Sequence, residues 1–441
     1  MTVKVIGAGL AGCEAAWQIA NRGIPVTLYE MKPEKKSPAH RSAGYAELVC
    51  SNSLKAARVE SAAGMLKQEM RMLHSLLMEC ADACIVPAGG ALAVDREQFS
   101  QAVTQKIEEH PNITVIHEEV VHIPNEGVTV IATGPLTADR LAQEIETRFG
   151  GALRFFDAAA PIVTAESIDF SHAFLASRYG RGEGDYINCP MDKAQYEAFY
   201  TQLVAAQRAP LHDFDTDNPK VYEGCMPIEV MAKRGMDTIR FGPMKPVGLR
   251  DPKTGHRPWA VLQLRRENRQ GSLYNLVGFQ TNLKFTEQKR VFSMIPALHA
   301  AEFVRYGVMH RNTFIDSPRI LNADFSCKTR PSLFFAGQIT GVEGYMESGA
   351  SGLAVGIHAA KRILGKESTL FPPVCMLGAL SAYISDASVT DFQPMGANLG
   401  ILPPLAEPIR GKREKAAAYA QRSFEALRKL IDHEDAGFYE P

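Results

Sequence analysis

The first thirty residues constrain the fold most. Val3-Lys4-Val5-Ile6 reads as a buried strand. It runs into Gly7-Ala8-Gly9-Leu10-Ala11-Gly12 and then into residues 13–20, a run of good helix formers without proline. In that order, strand, glycine turn and helix start let the backbone turn tightly and approach a pyrophosphate at the positive end of the helix. A second strand, Val26-Thr27-Leu28-Tyr29, ends at Glu30, 18 residues past Gly12. An acid at that distance reaches a ribose hydroxyl. Glutamate disfavours a 2′-phosphate there, so FAD or NAD fits this site better than NADP.

The chain of 441 residues is long enough for two or three domains. No apolar run approaches the ~20 residues of a membrane-spanning helix, and the N-terminus enters a strand directly, with no signal or transit peptide. The eight cysteines, 13, 50, 80, 84, 189, 225, 327 and 375, form no C-x-x-C pair and no zinc spacing. A reducing, cytoplasmic setting follows. No histidines pair at ligand spacing, so no metal site is expected.

Along the chain, residues 32–53 form a polar loop ending in Leu48-Val49-Cys50-Ser51-Asn52-Ser53. Leu66, Met70, Leu73, Leu77, Cys80 and Cys84 recur at helical spacing, which predicts one helix over 61–84 with both cysteines in the core. Asp95 caps a helix to about residue 110. Strands are expected at 113–116, 119–123 and 128–132, the last closing on Thr133-Gly134. That Ala-Thr-Gly end resembles FAD-binding proteins of the glutathione-reductase type, where this segment passes the dinucleotide. A short helix is expected at 141–149. Between 160 and 312 the composition shifts. Helices are expected at 193–208 and, kinked at Pro296, at 288–306; strands at 239–241, 260–264 and 274–279 would form a second sheet. The chain then returns to the first fold. Ser332 to Ala336 is a buried strand followed by Gly337-Gln338-Ile339-Thr340-Gly341, and Gly344, Gly349 and Gly352 precede a helix at 353–364. In such flavoproteins this late segment holds the ribityl and pyrophosphate groups; Gln338 stands where Asp is usual, and an amide can hydrogen-bond a ribityl hydroxyl. The last helix is expected at 412–431.

The fold class is therefore α/β: a split Rossmann-like FAD-binding domain with an inserted α+β domain. The expected parts are 1–160 and 313–441 for the FAD-binding domain, and 161–312 for the insertion. Two glycine segments far apart in sequence suit one extended dinucleotide. A second nicotinamide fold is missing.

The net charge of −1 hides an asymmetry. Between 220 and 311 there are sixteen basic residues against seven acidic ones, so the rest of the chain carries about ten negative charges. A basic module on an acidic body points to a polyanionic partner. Arg410-Gly411-Lys412-Arg413 adds a second basic stretch. Tyr222, Trp259, Tyr274 and Phe279 can stack on bases or fill the core. Two cysteines stand outside apolar faces: Cys50 in its polar loop, and Cys225 beside Gly224 and shortly before Lys233-Arg234. Nearby positive charge favours a thiolate, the form that attacks, although from spacing alone a structural role suits each better than a catalytic one. The remaining cysteines read as core.

Five stretches together resemble the TrmFO family of methylenetetrahydrofolate–tRNA-(uracil-5-)-methyltransferases, FAD-dependent relatives of GidA (MnmG). They are Gly7 to Gly12 with Glu30; Leu48 to Ser53; Glu223-Gly224-Cys225-Met226-Pro227-Ile228-Glu229-Val230-Met231-Ala232; Gly337 to Tyr345; and Phe392-Gln393-Pro394-Met395-Gly396-Ala397-Asn398. GidA proper carries a long C-terminal helical extension that this chain lacks. The resemblance implies methylation of the T-loop uridine of tRNA at C5. The carbon would come from 5,10-methylenetetrahydrofolate through reduced FAD, with NADH or NADPH as reductant. It also implies Cys225 as the nucleophile at uracil C6 and Cys50 near the flavin, helping to remove the C5 proton. FAD contacts are expected from Gly7, Ala8, Gly9, Leu10, Ala11, Gly12, Glu30, Val120, Thr133, Gly134, Gly337, Gln338, Gly344 and Gly349. tRNA contacts are expected from Arg265, Arg266, Lys284, Lys289, Arg290, Arg410, Lys412 and Arg413. Two alternatives are a flavin oxidoreductase acting on a small molecule, and GidA-like modification of the tRNA wobble uridine.

Overall fold

A computed structural model describes residues 2–37, 39–150, 153–180, 183–210 and 226–434, with the backbone alone at 153–157, 310, 311 and 434. Among these residues the strands form two six-stranded sheets, one of three strands and one of two. The first large sheet runs in the order Ser326–Cys327, Arg330–Phe335, Thr129–Ile131, Val3–Ile6, Val26–Glu30, Ile113–His117. All neighbours are parallel except the first pair. Val5 lies opposite both Leu28 and Val130, and Val130 opposite Phe334, so both ends of the chain share one sheet. The buried positions of these strands are mostly Val, Ile, Leu and Phe because helices cover the sheet. The second sheet, Phe174–Leu175, Tyr186–Met191, Ala260–Arg266, Leu273–Leu276, Ile162–Thr164 and Phe303–Arg305, is antiparallel and has its own core around Phe199, Phe279 and Phe292.

The helix Leu10–Ala20 packs closely on the helix Tyr345–Ile363. A Cβ on Gly352 would meet the Ala11 carbonyl oxygen at 2.2 Å, and one on Gly356 the Ala15 carbonyl oxygen at 2.7 Å. Small residues on this seam therefore set the spacing between the two helices. Gly349 and Gly352 lie inside the helix, which starts earlier than the glycine spacing predicts.

Four further expectations are corrected. The apolar run at 61–84 forms two helices, Ala62–Met72 and Leu76–Ala83. His74 turns the chain at φ 54°, and the buried Glu14 carboxylate accepts hydrogen bonds from Ser75 Oγ and from the N–H groups of Leu76 and Leu77. That anion satisfies a new helix N-terminus, while the apolar period continues across the break because both helices face one core. Residues 119–123 form no strand: after the edge strand Ile113–His117 the chain leaves the sheet, and Glu118, Glu119 and Val120 line a cleft beside it. Ile239 to Phe241 belongs to the helix Met236–Phe241, where the Arg240 guanidinium lies 3.8 Å from the centre of the Trp259 ring. Residues 288–306 divide into the helix Phe285–Phe292, a 3-10 turn opened by Pro296, and the strand Phe303–Arg305. Pro296 starts a turn there, where its missing N–H costs nothing.

Among the described residues no helix is long and apolar enough to cross a membrane.

Candidate functional site

A cleft of about 1090 Å³, partly open to solvent, runs across the C-terminal edge of the parallel sheet. Gly7 to Ala11, Glu30, Val120, Thr133, Gly134, Gly337 and Gln338 line it, all expected contacts. Gly7 has φ +98°, and a Cβ on Gly12 would meet the Gly7 carbonyl oxygen at 1.8 Å, so these two glycines serve the turn itself. Gly9 differs. Its backbone, φ −75° and ψ −170°, suits any residue, and a Cβ there would meet nothing within 4 Å. The bare backbone at Gly9 leaves room on the cleft side, at a helix N-terminus that has no side-chain cap and no acid in its first turn. That cradle fits a pyrophosphate. Glu30 accepts the N–H of Ala8 at 2.8 Å and that of Lys32 at 3.0 Å. It fixes the loop and keeps lone pairs for ribose hydroxyls. Gln338 Nε2 donates to Glu343 at 2.6 Å, which aims the amide beside Gly337.

Three expected FAD contacts are placed otherwise. Gly12 lies beneath the loop. Gly349 packs inside its helix, where a Cβ would meet Leu77 Cδ1 at 2.5 Å. At Gly344 a Cβ would meet Glu347 Oε2 at 2.2 Å, so this glycine makes room for the Glu347–Lys55 ion pair.

Val49, next to Cys50 in its loop, and Tyr345 form one wall of the cleft. Cys50 and Ser51 donate their N–H groups to Tyr345 Oη at 2.8 and 3.2 Å, and Cys50 Sγ lies 2.9 Å from the same oxygen. Arg96 donates to the carbonyls of Leu48 and Val49, Arg305 to that of Val49, and Arg265 to Ser51 Oγ and Asn52 Oδ1. Glu267 pairs with Arg96 through two nitrogens. Burial works against the Arg96 charge, but Glu267 carries it above its ordinary value. Burial, then the charges of Arg96 and Arg41, pulls Arg305 down to about 10, where it stays charged at neutral pH. Burial pushes the Tyr345 phenol well up, with Cys50 adding to it, so the phenol keeps its proton.

Cys225 and Tyr222 lie outside the described residues. The helix Ile228–Ala232 that follows is anchored by Glu229, which accepts from Thr281 Oγ1 and the N–H of Asn282, both at 2.8 Å. The other described cysteines are buried, and burial pushes the thiols of Cys13, Cys189, Cys80 and Cys375 up, Cys80 and Cys375 to about 12.

The basic excess proves partly internal. Arg265 and Arg305 are buried against the Cys50 loop, which removes Arg265 from the surface expected to meet tRNA. Arg266 is half-buried, while Lys284, Lys289, Arg290, Arg410, Lys412 and Arg413 are exposed. Phe279 and Tyr274 are core, and Trp259 lies under Arg240 and Lys193. A surface the sequence reading missed is the parallel stack of Phe285, Tyr306 and Phe303, with centroid spacings of 4.9 and 5.5 Å. Its end ring, Phe285, is 53% exposed and adjoins Lys284.

Residues 2–367 match the family described as Glucose inhibited division protein A. A relative from Acetivibrio thermocellus, a methylenetetrahydrofolate–tRNA-(uracil-5-)-methyltransferase TrmFO, is 59% identical over 430 residues, 97% of this chain and 98% of its own length. The protein of the same description from Listeria monocytogenes is 56% identical over 98% of this chain and 99% of its own. The structure of Aquifex aeolicus GidA superposes with a TM-score of 0.68 at 17% identity, covering 97% of this chain and 73% of that one. This likeness is one of fold.

Proposed function

The chain belongs to the GidA family and to its TrmFO branch of methylenetetrahydrofolate–tRNA-(uracil-5-)-methyltransferases, and from that membership we propose how its own residues carry the reaction. It methylates C5 of a tRNA uracil with carbon from methylenetetrahydrofolate, and the target we assign is the T-loop uridine. The observation that carries this reading is the single cleft that joins the open cradle at Gly9 to the Cys50 loop.

Gly7 to Ala11, Glu30, Thr133, Gly134, Gly337 and Gln338 would hold FAD. Bound FAD supplies the relay for the one-carbon unit and the reducing equivalents, which NADH or NADPH restores. Uracil C5 is a poor nucleophile until a group adds at C6. The Cys225 thiolate makes that bond, pushing the ring electron pair onto C5. After C5 has taken up the carbon, Cys50 accepts its proton: the C5–H bond breaks and an S–H bond forms. Departure of the Cys225 sulfur from C6 restores the ring double bond. The insertion, residues 161–312, bears the tRNA, and free thiols, folate and tRNA share the cytosol as its setting.

Exposed Lys284 and Lys289 would meet phosphates, and the exposed ring of Phe285, next to Lys284 in the chain, would offer a base a stacking surface. Replacing both lysines by alanine should flatten the slope of log K for tRNA against log salt by about 1.4. Filter binding over a salt series checks this; an unchanged slope removes both lysines from the interface. Mass mapping of the product tRNA tests the target: a methyl group outside the T-loop contradicts the assignment.

A further inference from the structure

The thiol assigned to proton removal sits in surroundings that the reaction scheme alone does not require. Tyr345 Oη has two acceptor sites and one hydrogen. The N–H groups of Cys50 and Ser51 occupy both acceptor sites, at 2.8 and 3.2 Å. The third neighbour of the oxygen is Cys50 Sγ at 2.9 Å, so the hydroxyl hydrogen is left to point at sulfur. The sulfur is thus the acceptor. Elsewhere in the protein, Cys13, Cys327 and Cys375 make their sulfur–oxygen hydrogen bonds at 3.3 to 3.4 Å. The shorter contact at Cys50 is what a charge-assisted bond gives.

The charge around the loop has the same sense. Three guanidiniums hold it, from three elements: Arg96 at the start of its helix, Arg265 in the strand Ala260–Arg266 and Arg305 in the strand Phe303–Arg305. Among the described residues the one carboxylate in ion-pair range of any of the three is Glu267, which is bound to Arg96. Arg265 binds neutral groups. Arg305 binds a carbonyl, and its buried Nε has no hydrogen-bond partner. The other charged groups near the loop are engaged elsewhere: Glu47 accepts the N–H groups of Arg41 and Ser42, and Lys55 pairs with Glu347. Buried cations with too few anions are costly, and a thiolate at Cys50 offsets that cost.

We propose that the Tyr345 hydroxyl, backed by Arg96, Arg265 and Arg305, holds Cys50 as a thiolate at neutral pH, its proton released to solvent. Tyr345 is a positioning residue: it prepares Cys50 to take the C5 proton without touching the base. The proposal rests on Cys50 being the proton acceptor, and its test separates the two ideas.

The flavin-loaded protein is alkylated with iodoacetamide across a pH series, and the Cys50 peptide is quantified by mass spectrometry. In the unaltered protein the midpoint should fall at least one unit below the ordinary thiol value of about 8.5. Tyr345→Phe should raise the midpoint by about one unit and slow alkylation at pH 7 about tenfold. Arg305→Met, which leaves Tyr345 and the Arg96 and Arg265 anchors in place, should raise it too. Methylation by Tyr345→Phe should fall at pH 7 and recover as pH rises and the thiolate forms. An unaltered protein with its midpoint at or above 8.5 overturns the proposal. So does a midpoint unmoved in both variants, or a methylation defect that high pH does not relieve. A depressed midpoint in a protein that methylates no tRNA upholds the thiolate and rejects the reaction assigned to it.

Discussion

A Gly9→Val protein should purify folded and colourless. The backbone at Gly9 is one that valine adopts, and the space beside it holds no protein atom within 4 Å. The fold therefore has no reason to resist the side chain. A dinucleotide does: its pyrophosphate must come against this backbone to use the free N–H groups of the helix Leu10–Ala20. A side chain in that space costs about 1–3 kcal/mol as overpacking and also separates the phosphates from their donors. FAD affinity should fall by at least about a hundredfold. Flavin absorbance per mole of protein and the apoprotein melting temperature check this together. Gly12→Ala is the contrast. There the added carbon strikes the Gly7 carbonyl oxygen at 1.8 Å, so fold and flavin should fail together. A yellow Gly9→Val protein with ordinary flavin content would move the pyrophosphate elsewhere.

Cys225→Ala should reduce tRNA methylation at least about a thousandfold and leave flavin content and tRNA affinity unchanged. Without the sulfur at C6 the ring has no electron-rich C5, so exchange of the C5 hydrogen with solvent should stop as well. Single-turnover assays on unmodified tRNA, with hydrogen exchange at uridine, read both. Methylation within tenfold of the unaltered protein would show that another group attacks the ring. Cys13 provides the control: its thiol is buried and donates to the Ala8 carbonyl, and burial pushes its pKa well up, so Cys13→Ser should leave the chemistry intact.

Much of the flavin half of the molecule is legible in the sequence because its signals are local. The turn at Gly7, the acid at Glu30 and the apolar strands at either end of the chain each announce themselves within a few residues. What the sequence conceals is long-range. Arg96, Arg305 and Tyr345 reach the Cys50 loop from 47 to 295 positions away, by side chain to backbone bonds that leave no periodic trace. Composition counts Arg265 and Arg305 as surface charge, because a tally of lysines and arginines carries no record of burial. The break at His74 is hidden for a related reason. The residue that permits it, Glu14, lies on another helix, and its capping role exists only once the two helices meet. Gly349 misleads in the opposite direction: a glycine after a glycine-rich turn suggests a ligand, and it serves a helix contact with Leu77.

The proposed reaction turns on the origin of the methyl carbon. The protein, loaded with FAD, is incubated with unmodified tRNA, NADH and methylenetetrahydrofolate labelled in its methylene carbon, and the tRNA is digested to nucleosides. The proposed reaction should give labelled 5-methyluridine that vanishes when folate or reductant is left out and is unaffected by S-adenosylmethionine. 5-Methyluridine that appears only with S-adenosylmethionine, or that carries no label, would contradict it.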